Sequence, residues 1–225
     1  MEEQDRVKWI YASSSLTDLE QRYDEWADAY DSYLTEKYHY RGGRRVADCL
    51  DQYVDKAASI LDAGVGSGLS GVALAAAGYG DLVAIDLSEG MLQSAREKGV
   101  YGVVCRMVLG ELLDFEDASF DAVTSVGVFT MAHAPASSFD DLIRINKPGG
   151  YIVFTLSEEA YEKDGFKEKL ESLELDWKWG GVEMQPEREL SQGSGVLHRL
   201  WVFQTSILAS CWISFNNIVT EDPLP

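Results

Sequence analysis

The amino-acid sequence predicts an α/β domain with a mostly parallel sheet covered by helices on both faces, and three observations carry that expectation. Short apolar runs alternate with amphipathic stretches through the middle of the chain; βα repetition of this kind aligns strands in one direction. The run Ile60-Leu-Asp-Ala-Gly-Val-Gly-Ser-Gly-Leu-Ser-Gly71 passes from apolar residues through an acid to three glycines at alternate positions. It reads as a buried strand, a tight turn and a helix. A second half follows in Asp81-Leu-Val-Ala-Ile-Asp-Leu87, another short apolar run whose Asp86 lies about 20 residues beyond the glycines.

Leu16, Leu19, Tyr23, Trp26, Ala27, Tyr30 and Leu34 recur at helical spacing with acids between them, which predicts an amphipathic helix. Val46, Cys49, Leu50, Tyr53 and Val54 predict a second. Strands are expected near 59–63, 82–86, 103–109, 121–126 and 151–156, and helices starting near Ser67, Ser88 and Ser137, each with a capping-type residue. Beyond Leu156 a charged helical stretch leads to two apolar-aromatic runs, 177–184 and 196–203. A polar loop containing Pro186 and Gly193 separates them, so they read as a closing hairpin. The apolar tail 206–215, with Trp212, is too short to span a bilayer.

At 225 residues and 46% hydrophobic content the chain can build one substantial core. Its formal net charge of -19 argues against nucleic acid as a partner, because such binding draws on Lys and Arg neutralising phosphates. The patch Arg41-Gly-Gly-Arg-Arg45 reads as a solvated helix start. The charged amino terminus has no apolar h-region, and no run approaches the roughly 20 apolar residues of a membrane span. A cytoplasmic protein that does not engage membranes is expected. Cys49, Cys105 and Cys211 lack metal-ligand spacing, so no metal is expected and reduced thiols are the simplest reading.

Gly64, Gly66 and Gly68 free the backbone of Cβ atoms where a nucleoside-bearing ligand approaches, and they permit positive φ. A strand-end carboxylate at Asp86 can accept hydrogen bonds from both ribose hydroxyls. Gly66-Ser-Gly-Leu-Ser-Gly71 also satisfies the GxGxxG pattern of dinucleotide-dependent oxidoreductases. Asp62 separates the two readings. A carboxylate beside the turn repels a pyrophosphate but favours the ammonium and sulfonium of S-adenosylmethionine.

The run Leu61-Asp-Ala-Gly-Val-Gly-Ser-Gly68 resembles motif I of the class I S-adenosylmethionine-dependent methyltransferases, and Ile85-Asp-Leu-Ser-Glu-Gly-Met-Leu92, Phe120-Asp-Ala-Val123 and Lys147-Pro-Gly-Gly150 resemble their later markers. The resemblance spans about residues 23–203 and becomes unspecific past Leu156. It implies a Rossmann-like fold with a seven-stranded, mostly parallel sheet, S-adenosylmethionine as cofactor and S-adenosylhomocysteine as product. Within that superfamily the Tyr-Asp-x-Trp-Ala segment, the Leu109-Gly110 turn and the Ser125-Val-Gly127 edge look most like the methyltransferase-like proteins. One domain over 1–225 follows, with 1–57 as helices capping the cofactor site, 58–203 as the core and 204–225 as a tail of open role.

The same resemblance distributes roles. Tyr23-Asp-Glu-Trp-Ala-Asp-Ala-Tyr-Asp31 looks like the cofactor-capping segment of small-molecule methyltransferases, and Trp26 and Tyr30 share a helical face from which aromatic rings can attract a sulfonium. Leu87 and Met91 are expected to flank the adenine. Relatives carry an acid after the third strand, where this chain has Leu109, so Gly110 and Glu111 are the candidates there. Val126 and Gly127 are expected to present carbonyls to the methionine ammonium, with Phe129 and His133 facing the acceptor and His133 as the candidate catalytic base. The acceptor is expected to be a small molecule or a protein. A cofactor-binding protein without turnover is the alternative from another class.

Overall fold

The computed structural model describes residues 6–207. The tail expected over 206–215 therefore lies outside the described residues except for Ser206 and Ile207, and so does Cys211. Three helices come first: α1 (Arg6–Tyr11), α2 (Leu16–Ser32) and α3 (Gly42–Leu50). The alternation then runs β1 (Ser59–Ala63), α4 (Leu69–Ala76), β2 (Asp81–Asp86), α5 (Glu89–Glu97), β3 (Val103–Arg106), β4 (Phe120–Phe129), α6 (Ser138–Ile145) and β5 (Asn146–Ser157). Helices α7 (Glu158–Lys163) and α8 (Phe166–Leu175) lead to β6 (Trp179–Glu189) and β7 (Leu197–Thr205).

The seven strands form one sheet in the order β3-β2-β1-β4-β5-β7-β6. β1 to β5 pair in parallel, and β7 inserts antiparallel between β5 and β6. This is the sheet that the resemblance implied. Alternation along β1 divides its burial: Ile60 joins one apolar layer with Val46, Leu50 and Leu74, while Leu61 joins the other with Phe129, Phe139 and Phe154. Both faces are covered by helices, and each fully buried large apolar side chain contributes about 1.5 to 3 kcal/mol.

Local chemistry sets the helix starts. The Ser15 hydroxyl accepts from the Asp18 N–H at the head of α2, and the Ser88 hydroxyl accepts from the Met91 N–H at the head of α5. At α4 the flanking residue is instead Gly68, whose φ of +92° only glycine adopts readily. Ser137 precedes α6 without capping it, and the Ser138 hydroxyl donates to the Pro135 carbonyl nearby.

Several expectations are corrected. β3 ends at Arg106, three residues early, because the Met107 N–H still donates to the Asp86 carbonyl but Gly110, at φ +98°, turns the chain away. α3 stops at Leu50, and Tyr53 and Val54 reach the same core from a turn. α2 continues into a π-helical turn, Tyr33–Lys37. Pro186 lies within β6, not in the connecting loop; a register shift between Gln185 and Arg188 on this edge strand accommodates it. Arg45 is not simply solvated, since it donates to Gln185 Oε1 and to the carbonyls of His198 and Pro186.

Candidate functional site

The strand order reverses at the β1–β4 boundary, and open α/β sheets place their crevice outside the carboxyl ends of the strands at such a point. A cleft of about 840 Å³, its open mouth included, occupies that position. Its floor is the turn after β1, where Gly64, Gly66 and Gly68 take φ of +73°, +54° and +92°. A Cβ on Gly64 would lie 2.3 Å from Val128 Cγ2, so the turn and β4 touch through that glycine. Leu87, Met91, Met107 and Leu109 form an apolar wall. Val126 and Gly127 stand at the far end, where the Gly127 N–H donates to Thr155 Oγ1 over 2.7 Å and anchors the β4 irregularity.

Two carboxylates organise this floor differently. Asp86 lines the cleft, with Oδ2 accepting from the Gly66 N–H at 2.8 Å and Oδ1 from the Ser88 N–H at 3.0 Å. Burial pushes its pKa up to about 6 against these backbone donors. Asp62 is fully buried behind the turn. Its carboxylate accepts from Ser70 Oγ at 2.6 Å, Tyr101 Oη at 2.7 Å and Thr124 Oγ1 at 3.2 Å, and burial raises its pKa. It is a hub that ties α4, β4 and the segment before β3 to β1.

The amino-terminal helices form the roof. Asp24 Oδ1 accepts from Ser88 Oγ at 2.6 Å and from the Gly90 N–H at 2.9 Å, bonding α2 to the head of α5. Glu20 pairs with Arg106 at 2.8 Å, and Asp31 pairs with Lys98. From this roof Tyr23 reaches His133, with Oη and Nε2 2.8 Å apart. His133 Nδ1 lies 2.8 Å from the Met131 carbonyl, which can only accept. The imidazole therefore carries its hydrogen on Nδ1, and its Nε2 accepts from the Tyr23 hydroxyl. Burial lowers the His133 pKa, holding the ring neutral.

Of the residues expected in the site, Tyr30, Gly64, Gly66, Asp86, Leu87, Met91, Val126 and His133 line the cleft, as does Gly127. Six others stand elsewhere. Trp26 is 4% exposed and packs edge-on against Tyr30 and Tyr33, so its ring borders a neighbouring chamber instead. Asp62 has its oxygens occupied behind the turn. Gly68 serves the start of α4. Gly110 and Glu111 are exposed beyond the wall that Met107, Val108 and Leu109 provide. Phe129 is wholly buried among Phe139, Phe154 and Phe166 and does not reach the cleft.

Sequence reasoning missed Asp24, Tyr23, Tyr40, Ser67 and His198. Tyr40 and Ser67 line the cleft, and the Ser67 hydroxyl, 1% exposed, has no hydrogen-bond partner among the described residues. Asp24 and Tyr23 lie in the segment 23–31, where their side chains' distant partners leave no local signal. Cys49 and Cys105 are free thiols; Cys49 is buried and its thiol is pushed up to about 12, while Cys105 is half-buried. Among the described residues no cluster of His, Cys, Asp or Glu could hold a metal ion, and no helix is long and apolar enough to cross a membrane.

S-adenosylmethionine fits these residues. Asp86 is the one charged side chain lining the cleft among the described residues, so a ribose has a charged acceptor. The unpartnered Ser67 hydroxyl adds a polar contact on the turn. A family described as a methyltransferase domain matches residues 61–154. Methyltransferase-like protein 27 of Homo sapiens is 32% identical over 85% of this chain and 82% of that protein. Demethylmenaquinone methyltransferase of Clavibacter sepedonicus is 43% identical over 42% of this chain and 39% of that protein. A solved S-adenosylmethionine-dependent methyltransferase from Methanosarcina mazei superposes with a TM-score of 0.58 at 17% identity, covering 71% of this chain and 97% of that one.

Proposed function

The chain belongs to the class I S-adenosylmethionine-dependent methyltransferases, and from that premise we propose that it methylates a small molecule at an oxygen or nitrogen lone pair. The observation that supports a small acceptor is the second chamber beside the cleft, which shares Tyr23, Tyr30, Val126, Gly127 and His133 with it. In this reading Asp86 holds the ribose hydroxyls, Leu87, Met91 and Met107 flank the adenine, and Val126 with Gly127 receives the methionine end. Residues 1–57 act as the cap of a single methyltransferase domain. A cytoplasmic location belongs to the same reading, supported by the two free thiols.

When bound, S-adenosylmethionine supplies a methyl group whose bond to sulfur breaks with its electron pair staying on sulfur, and S-adenosylhomocysteine is released. The protein has to align the acceptor and exclude water. Tyr23 and His133 add a route for the proton. A hydroxyl acceptor beside Tyr23 Oη passes its proton to that oxygen as Tyr23 passes its own to His133 Nε2, which leaves an imidazolium braced by the Met131 carbonyl.

The test is calorimetry with S-adenosylhomocysteine and with NAD, followed by transfer of labelled methyl from S-adenosylmethionine to a fractionated cell extract. Micromolar binding of the former and none of the latter is expected, an order of magnitude usual for such ligands. His133→Ala should slow transfer about a hundred- to ten-thousandfold while leaving S-adenosylhomocysteine affinity unchanged. Equal turnover by the variant would return His133 to a purely structural role, and label appearing only in protein would overturn the small-molecule acceptor.

A further inference from the structure

The chamber beside the cleft encloses about 630 Å³ with its mouth included, within the range of small-molecule sites. Its walls come from elements distant in sequence: α1 and α2 above, β4 behind, and the β6–β7 loop and the start of β7 at the side. Tyr11 and Trp26 present ring surface, and no Asp, Glu, Lys or Arg lines it among the described residues. Arg45 reaches the His198 main-chain carbonyl, but it faces the surface groove outside.

His198 is the unusual group here. It lies near the start of β7, is 4% exposed, and borders the chamber. Neither ring nitrogen completes a hydrogen bond, although the Val196 carbonyl is near enough to favour an N–H facing it. A buried imidazole without partners is costly in a closed core, and it becomes useful when a ligand supplies the missing bond. We propose that this chamber is the methyl-acceptor subsite for a flat, uncharged, hydroxyl-bearing molecule, and that His198 is the specificity residue that hydrogen-bonds the acceptor.

The proposal rests on the methyltransferase reading and narrows its substrate class. An ionised acceptor would leave water for a wall without a compensating charge, which excludes carboxylates and phosphates. Burial reinforces this by lowering the pKa of both imidazoles, to about 4 for His198, so neither offers a cation near neutral pH. Tyr23 and His133 line both the cleft and the chamber, whereas His198 lines the chamber alone. The geometry therefore separates proton removal from recognition.

Three ligands with one ring system test this: 2-naphthol, naphthalene and 2-naphthoate, each titrated into the full chain saturated with S-adenosylhomocysteine. The expected order is 2-naphthol about tenfold tighter than naphthalene, with 2-naphthoate weakest. In the wild-type protein 2-naphthol should also move the His198 ring-nitrogen resonances. His198→Phe and His198→Leu should bring 2-naphthol and naphthalene to similar affinity, and His198→Gln should keep part of the preference. Variants are compared at unchanged S-adenosylhomocysteine affinity, which establishes that they are folded. Tightest binding of 2-naphthoate, unmoved His198 resonances, or an unchanged preference in the Phe or Leu variant would overturn the proposal. Loss of S-adenosylhomocysteine binding in the wild type would instead refute the methyltransferase reading beneath it.

Discussion

In the proposed function the carboxylate of Asp86 accepts from ribose hydroxyls as an anion, while burial favours its neutral form and pushes its pKa from 3.8 up to about 6. Ionised, it offers acceptors only; protonated, one oxygen becomes a donor and the fit to two hydroxyls is lost. S-adenosylhomocysteine affinity should therefore be flat above about pH 7 and fall below it, about tenfold weaker at pH 5 than at pH 8. Calorimetry across that range reads the effect. Asp86→Asn should bind some ten- to hundredfold more weakly at pH 8 and lose the pH dependence; a variant that keeps the wild-type profile would assign the titration to another group. Because the folded pKa lies above the unfolded one, this residue favours the ligand-free fold most below pH 4, and that contribution disappears as pH rises through 6. Asp86 was legible in the sequence because a strand-end acid after a glycine turn is a local pattern. His198 was not, since its importance lies in facing helices nearly the whole chain away. Asp62 was half legible: its position was plain, but its partners Ser70, Tyr101 and Thr124 come from three separate segments.

Helix α2 sits over the site through its polar face as much as through its apolar one. Leu19 and Trp26 pack with Ile10 of α1, while Asp24 bonds the Ser88 hydroxyl and the Gly90 N–H at the head of α5. Removing that carboxylate in Asp24→Ala leaves both donors without their charged acceptor, a loss of about 1.5 to 3 kcal/mol in docking. Hydrogen exchange should quicken in α2 while β1, β2 and β4 keep their protection, and S-adenosylhomocysteine affinity should drop about tenfold. Unchanged α2 exchange would mean that the Glu20–Arg106 and Asp31–Lys98 pairs hold the roof alone. The period of α2 was readable because its apolar stripe runs for four turns and more. α1 was not: with six residues it shows less than two full turns of pattern. The hairpin was visible from its apolar runs, yet Pro186 suggested a loop, because a sequence does not reveal that its strand lies at the sheet edge.

For the molecule as a whole, the cleft joins parts that the chain order separates: the roof of α2, the turn after β1, the end of β4 and the wall after β3. βα alternation was legible because each parallel strand needs its own crossover, while the antiparallel insertion of β7 between β5 and β6 has no local signal, and the resemblance implied only that the seven-stranded sheet is mostly parallel. A ligand seated among all these parts binds the folded chain and has no site in the unfolded one. At a hundred times its dissociation constant, S-adenosylhomocysteine should add about 2.7 kcal/mol to folding stability. For a chain in this size range that corresponds to a rise in Tm of about 5 to 11 °C, measurable by scanning calorimetry. The rise should be a single shifted transition, because roof and sheet share the ligand, and Asp86→Asn should remove about half of it or more at the same ligand concentration. Two transitions, with only the upper one moved by ligand, would show that the amino-terminal helices do not take part in the site. NAD at equal concentration should leave Tm unchanged, since the chain belongs to a family whose cofactor carries no pyrophosphate.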